Sequence, residues 1–408
     1  MAEIKAFKGI SYNQAKIRIE NVITQPYDKI TPQLQALYYE NSPYNIVRIE
    51  LNKSSDPYTS AKEHFESWLN EGILVQDDQL CIYPYFQEYG SNKVRKGFIA
   101  LLKIEDFSSG VVVPHERTFS GPKEDSLQLL RATGANFGLI FMLYSDTELK
   151  VQTLIDNEIK NIPPVIAVRE AFEKDAYHKL WKVSSPNVIK EIQELMRSKT
   201  LLIADGHHRY ETALNYSKEN PLAKYVMVTF VAMEDTGLLI LPTHRAMYGI
   251  DKTGFMNNVA KYFDVEPCGD KEELMTKLKG KYHHYGVYDG KFWVLKLKDD
   301  SLVEELGEQG RTYEYKALDV TVLHRVILEK VLGIPKEKLL KKECVDYLRE
   351  IEDGVEGVNR GKYQLFFILN PTRIEEAQKI STQHEVMPQK STDFYPKLIS
   401  GLVMYKIE

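Results

Sequence analysis

Residues 201–216, LLIADGHHRYETALNY, change periodicity midway, and that change constrains the fold more than any other feature of the chain. Leu201–Ala204 form a continuous short apolar run, the pattern of a strand covered on both faces. Beyond it Tyr210, Ala213, Leu214 and Ser217 recur at helical spacing. Only Asp205-Gly206 separates the two, so a strand must feed a helix almost directly, which requires helices layered on a sheet. His207, His208 and Arg209 then occupy the first helical turn. There the helix dipole disfavours each cation by about 0.3–1 kcal/mol. Three basic groups at that end make sense if something anionic sits among them.

The rest of the chain repeats this alternation. Strands are expected at YNIVRIEL, LCIYPYF, GFIALLKI, FGLIFMLY, PVIAVRE, KTLLIAD, YVMVTFVAM, LLILPT, YGVYDGKFWVLKL, YQLFFILN and LVMYKI. Helices are expected at SAKEHFESWLNEGIL, from Pro122 through SLQLLRATGA, at GFMNNVAKYF, at DVTVLHRVILEKVLG and after Pro371. SSGVVVPHERTFSGPKED reads as a long loop or linker. The expected class is therefore mixed α/β (α+β), multi-domain, divided at 1–110, 111–250 and 251–408.

The 408 residues are 43% hydrophobic and carry a net charge of −5, so no global basic field points to nucleic acid. Cys81, Cys268 and Cys344 are scattered and lack C-x-x-C spacing, which argues against a disulfide framework or a thiolate zinc site. MAEIKAFKGI lacks the apolar core of a signal peptide, and the longest apolar run, FGLIFMLY, is too short to span a bilayer. A cytoplasmic protein with no membrane partner is expected.

Five stretches carry chemistry. In the first, Asp205 to Arg209, one reading makes Asp205 an N-cap, Gly206 a turn residue and the cations a solvated face. The other makes the turn an anion site, with helix N–H groups, imidazoles and a guanidinium around a phosphate. A metal on Asp205 and one histidine is a further option, although adjacent helical histidines point about 100° apart. The second is VVVPHERTFSGPKEDSLQLLRATGANF, where His115-Glu116 offers an acid/base pair, with Thr118, Ser120, Lys123 and Arg131 adding hydroxyls and charge nearby. The third is Thr243-His244-Arg245 at the end of a strand. The fourth is PQKST: Gln389 stands where a P-loop needs glycine, which excludes a Walker A loop, but Lys390, Ser391, Thr392 and Lys397 are left as an anion site. The fifth is Asp28 in TQPYDKI, with Asn45 and Arg48 following. There is no GxGxxG after a strand, no GxSxG elbow and no HExxH.

IADGHHRYETAL, VPHERTFSGPKEDSLQLLRATGANF, LPTHR and VMPQKSTDFYPKLISGLV together closely resemble the bacterial and archaeal domain of unknown function 1015 family, over essentially the whole chain. More distantly, a strand, then Asp-Gly-His-His-Arg, then a helix resembles the phosphate-binding turn of the ParB/sulfiredoxin-like fold, which includes partitioning CTPases, sulfiredoxins and free L-serine kinases. The serine kinases carry a DGHHR box, matched by Asp205 to Arg209, and an upstream His-Glu, matched by His115-Glu116. The resemblance covers about 111–250 and implies a central ParB/sulfiredoxin-like domain. It also implies Glu116 as base on an acceptor hydroxyl.

The expectation is a nucleotide-dependent kinase of free serine or a related hydroxy amino acid, using Mg2+ with ADP or ATP. His115, Glu116, Asp205, His207 and His208 are the catalytic candidates, with Asp205 able to hold the metal. Gly206, Arg209, Lys123, Arg131, Lys390, Ser391, Thr392 and Lys397 are the nucleotide and phosphate contacts. Thr118, Asn136, Thr243, His244 and Arg245 are the substrate contacts. The alternatives are a metal-dependent phosphatase of a metabolite such as phosphoserine, and a non-enzymatic nucleotide-binding regulator.

Overall fold

The computed structural model describes residues 1–116, 121–172, 176–306 and 308–408, with residues 121–123 and 306 described by backbone alone. The chain divides into two compact units. The first comprises Met1–Pro114, Thr118–Leu239 and Pro396–Glu408, the second His115–Arg117 and Ile240–Tyr395. Thr118 and Ser120 of the expected loop site lie outside the described residues, and the Lys123 side chain does too.

The first unit is built on a nine-stranded mixed sheet. Its strands are β1 (Ile4–Lys5), β2 (Tyr83–Tyr89), β3 (Lys93–Lys103), β4 (Val112–Pro114), β5 (Ile140–Tyr144), β6 (Ile166–Arg169), β7 (Ala176–Leu180), β8 (Leu201–Asp205) and β9 (Tyr225–Ala232). They run in the order β4-β8-β5-β9-β3-β2-β7-β6, with β1 beside β3. The sheet takes strands from both sides of residue 110, so the stretch expected to separate two domains joins two parts of one sheet. Val112 and Val113 are the reason: their apolar side chains are buried, and they pair in parallel with Leu201 and Leu202. The stretch expected as loop thus contains a strand, β4.

Helices α1 (Pro32–Asn41), α2 (Val47–Glu50), α3 (Pro57–Asn70), α4 (Gly121–Thr133), α5 (Lys150–Ile159), α6 (Pro186–Arg197) and α7 (His207–Glu219) complete the unit. Their starts follow local chemistry. Thr31 and Asp56 cap α1 and α3 through their side chains, each with proline following at the first helical position. Ile192 and Met196, one turn apart on α6, enter the core with Ile155, Met142, Ile203 and Phe230. YNIVRIEL, expected as a strand, is helical over α2. The Asn45 side chain accepts from the Val47 N–H at 3.0 Å, and that of Asn52 donates to the Arg48 carbonyl at 2.6 Å. Such side-chain bonds to backbone stabilise a helical turn against an extended ladder.

The second unit holds an antiparallel sheet of β10 (His244–Met247), β11 (Phe263–Cys268), β12 (His284–Tyr288), β13 (Phe292–Leu297), β14 (Val345–Leu348) and β15 (Leu365–Ile368), in the order β11-β13-β12-β15-β10-β14. Asp289-Gly290 turns β12 into β13. Its helices include α8 (Lys271–Leu278), α9 (Asp319–Val322), α10 (Ile351–Asn359) and α11 (Ile374–Thr382), and α9 continues into a π-helix over Leu323–Val331. The fold is mixed α/β with several sheets. The three cysteines are buried as free thiols. Among the described residues no helix is long and apolar enough to cross a membrane.

Candidate functional site

In the first unit, β8 ends at Asp205 and α7 begins at His207, so the expected strand-turn-helix is present. Gly206 makes the turn with φ of 89°, a left-handed conformation that glycine adopts without strain. The N-cap is therefore Gly206 and not Asp205. A glycine supplies no side-chain acceptor, so the N-cap residue itself makes no side-chain cap to the first turn of α7.

The Asp205 carboxylate instead gathers cations. Lys397 Nζ donates to Oδ2 at 3.1 Å, and Arg209 Nη2 lies 3.7 Å from Oδ1. Lys397 is itself positioned by the sheet. Gln87 on β2 donates to the Lys397 carbonyl at 2.8 Å, and the fully buried Arg95 on β3 donates to the Pro396 carbonyl at 2.5 Å. Burial opposes the charge on Asp205, yet Lys397 and Arg209, with His207 adding to them, hold it well below the usual carboxylate range. Both oxygens are thus committed to cations, and a divalent ion bound there would face Lys397 and Arg209 at contact range. These residues do not fit a directly bound Mg2+, and no metal role is assigned to Asp205. Among the described residues no group of three or more His, Cys, Asp or Glu side chains is arranged to hold a metal.

Arg209 also resolves part of the charge puzzle. Its guanidinium lies over the Tyr27 ring at 5.9 Å, and burial, which would weaken its charge, is outweighed by Asp205, Tyr27, Asp28 and Glu50. Gly138 lets it pass: a Cβ there would sit 3.0 Å from Arg209 Nη1 and 3.1 Å from Glu50 Oε1. These groups border a cavity of about 80 Å3, lined also by Asp125, Ser126 and Asn136. Glu50 is the residue that sequence reasoning missed. Its Oε2 is buried without a hydrogen-bond partner among the described residues. Burial raises its pKa to about 7, against the counter-effects of a Ser400 hydrogen bond and of Arg209. The one available signal was an acid set between Ile49 and Leu51 in YNIVRIEL.

Other candidates in this unit have simpler partners. Arg131 pairs with Glu219 through two hydrogen bonds of 2.9 and 2.6 Å, tying α4 to α7. Asn136 Oδ1 accepts from the Met227 N–H at 3.1 Å while lining the cavity. Asn45 and Arg48 bind backbone carbonyls, of Asn21 and of Tyr39 and Ser42.

In the second unit a different cluster forms. Lys390 is left-handed, with φ of 58°, so successive N–H groups converge on one point. Glu116 occupies that point. It accepts from the Thr392 N–H at 2.9 Å, the Thr392 hydroxyl at 3.1 Å and the Lys390 N–H at 3.2 Å. His115, fully buried, places Nε2 2.7 Å from the Thr392 hydroxyl. The PQKST loop does hold an anion, and the anion is the chain's own carboxylate. Ser391 donates to the Pro388 carbonyl at 2.6 Å. Arg245, fully buried, donates to the carbonyls of Thr243 and, at 2.9 Å, of Lys390, and burial pushes its pKa down to about 10. His244 accepts from the Leu369 N–H at 3.2 Å and is held down to about 4 by burial and Arg245. The structure brings His115, Glu116, Lys390, Thr392 and Arg245 together in one unit, and Asp205, Arg209 and Lys397 in the other.

A family model described as a protein of unknown function, DUF1015, matches residues 4–321. The chain belongs to this family. Solved structures similar to it include a free serine kinase in complex with AMP, at 14% identity, covering 78% of this chain and 94% of that one with a TM-score of 0.41. A conserved hypothetical protein from Pyrococcus furiosus is 16% identical over 74% and 94%, with a TM-score of 0.37. A C-terminally truncated SbnI from Staphylococcus aureus is 11% identical over 74% and 84%, with a TM-score of 0.36. No curated protein matches the chain.

Proposed function

We propose that the turn from β8 to α7 receives a phosphate group, and that the protein transfers a phosphoryl group from ADP or ATP to a small hydroxy-metabolite, free serine or a related hydroxy amino acid. The observation that carries this reading is the pair of cations, Lys397 and Arg209, gathered by Asp205 where β8 turns into the N-terminus of α7. A positive dipole end with two cations beside it is what an oxyanion needs. The resemblance of Asp205–Arg209 to the DGHHR box of the serine kinases supports the same assignment.

Phosphoryl transfer depends on positioning and on neutralising charge over the equatorial oxygens. Arg209 and the helix end supply that field. Asp205 holds both cations in place, a positioning role. Within this unit the carboxylate suited to take the acceptor's proton is Glu50, poised near neutrality beside the cavity. As the acceptor oxygen bonds to phosphorus, its proton passes to Glu50 and the bond from phosphorus to the nucleotide's bridging oxygen breaks.

Phosphorus NMR of purified protein incubated with MgCl2, ADP or ATP and a panel of hydroxy amino acids tests the proposal. A new phosphomonoester is expected with wild type and none with Arg209→Ala. Product at an undiminished rate from Arg209→Ala overturns the placement of phosphate. Saturable nucleotide binding without product from any acceptor overturns the transfer step and makes the protein a nucleotide-binding regulator. Phosphate release from added phosphoserine without nucleotide overturns it in favour of a phosphatase.

A further inference from the structure

The second unit contains a cavity of about 50 Å3 that no role above uses, lined among others by Thr321, His324, Arg325, Glu329, Lys336 and Glu308. Three of its lining side chains carry buried polar atoms with no hydrogen-bond partner among the described residues: Thr321 Oγ1, His324 Nε2 and Arg325 Nε. A single such atom costs about 1–3 kcal/mol, so three around one cavity are a deficit that a bound group would remove. The backbone beneath them is equally unusual. From Leu323 to Val331 the chain is a π-helix, with the Leu332 N–H reaching the Ile327 carbonyl five residues back at 3.0 Å. Such stretches are rare and concentrate at functional sites.

The lining chemistry selects the ligand. Arg325 pairs with Glu329, and Lys336 donates to both oxygens of Glu308 at 3.2 Å, so the four charges balance. A phosphate dianion would bring two further negative charges against Glu308 and Glu329, where a carboxylate brings one and has two oxygens to accept from the donors left over. The unused groups are one guanidinium N–H, one hydroxyl and one imidazole. Burial, with Arg245 and Lys336 adding to it, holds His324 down to about 3, so the ring is neutral at pH 7 and can donate from Nε2. One water needs roughly 10–15 Å3, so the cavity admits roughly three to five heavy atoms.

We propose that this cavity is a second ligand site, taking the carboxylate of a small monocarboxylic acid on Arg325 Nε, the Thr321 hydroxyl and the His324 imidazole. It is independent of the phosphate site, being built wholly from the second unit.

Saturation-transfer NMR on the full chain with propionate as probe tests the proposal, using Arg325→Gln, the near-isosteric Thr321→Val and Arg209→Ala, each checked for native circular dichroism. Wild type and Arg209→Ala are expected to give the same signal, with binding weakened roughly tenfold in Arg325→Gln and in Thr321→Val. No signal from wild type overturns the site, and so does a signal unchanged in both second-unit variants. A signal lost only in Arg209→Ala overturns it as well, by moving the carboxylate to the first unit. Failure of the phosphoryl-transfer assay leaves all of these outcomes intact.

Discussion

Asp205 in the first unit and Glu116 in the second are both carboxylates at or just past the end of a strand, beside basic residues, yet the two are satisfied in opposite ways. Asp205 is held by side-chain cations, Lys397 and Arg209, with the start of α7 beside it. Glu116 is held by the N–H groups of Lys390 and Thr392 and by a hydroxyl. Side-chain cations can turn part of their field toward a second anion. Backbone amides closed around one carboxylate cannot, because the turn that aims them is already filled. A basic motif beside an acid therefore says little until its donors are known.

The largest effect that would break this contrast is catalytic. If Glu50 takes the proton, Glu50→Gln lowers kcat roughly 10²–10⁴-fold and abolishes the acid limb of its pH profile near 7. In Glu116→Gln the rate stays within about tenfold, and the cost appears as a lower urea midpoint, about 1–3 kcal/mol for the donors it leaves unpaired. The opposite pattern, with Glu116→Gln inactive and Glu50→Gln active, returns the base to Glu116 as the motif resemblance implies.

The next effect is on binding. Arg209→Ala is expected to weaken nucleotide binding roughly tenfold to a hundredfold, the range of charge-assisted hydrogen bonds. Arg245→Ala, which removes a buried cation held by carbonyls of its own unit, should leave nucleotide affinity unchanged in whatever protein remains folded. Calorimetric titration with ADP reads both. Equal losses in the two variants would erase the distinction between a cation free to act and one spent on structure.

The contrast also marks what was legible. Strand β8, helix α7 and the glycine between them follow from periodicity and turn chemistry over sixteen residues, and the mixed fold follows from the same alternation elsewhere. The joining of residues on both sides of 110 was not legible, because three short residues of β4 find their partner almost ninety positions later. Glu50 was hidden for a related reason. Its neighbours Val47 and Ile49 suit strand and helix alike, and only the side-chain bonds of Asn45 and Asn52 decide for the helix. Arg245 and His244 carried the signal of a polar strand end, and their burial comes from the two strands that flank β10, which lie about a hundred residues further on.

The smallest expected effect separates the units by the sign of their response to pH. Glu50 has an ordinary value of 4.5 and about 7 when folded, so between those values the native state holds a proton that the unfolded chain has released. More protons bound in the native state means that stability falls as pH rises, by at most about 1.4 kcal/mol per pH unit between those values, and stays low above 7. His244 moves from 6.5 to about 4 on folding, so between those values the unfolded chain binds the extra proton. Its contribution is full above 6.5 and is lost as pH falls toward 4. Urea midpoints at pH 5 and pH 8 should therefore shift in opposite directions on substitution. Relative to wild type, Glu50→Gln gains more at pH 8 than at pH 5, because it removes a penalty present only when the carboxylate is ionised. His244→Asn, which keeps an acceptor for the Leu369 N–H, gains more at pH 5, where wild type is penalised for a ring that cannot take its proton. Shifts of the same sign in both variants would mean that Glu50 is ionised and solvated in the native state, and the first unit would then lack a base of its own.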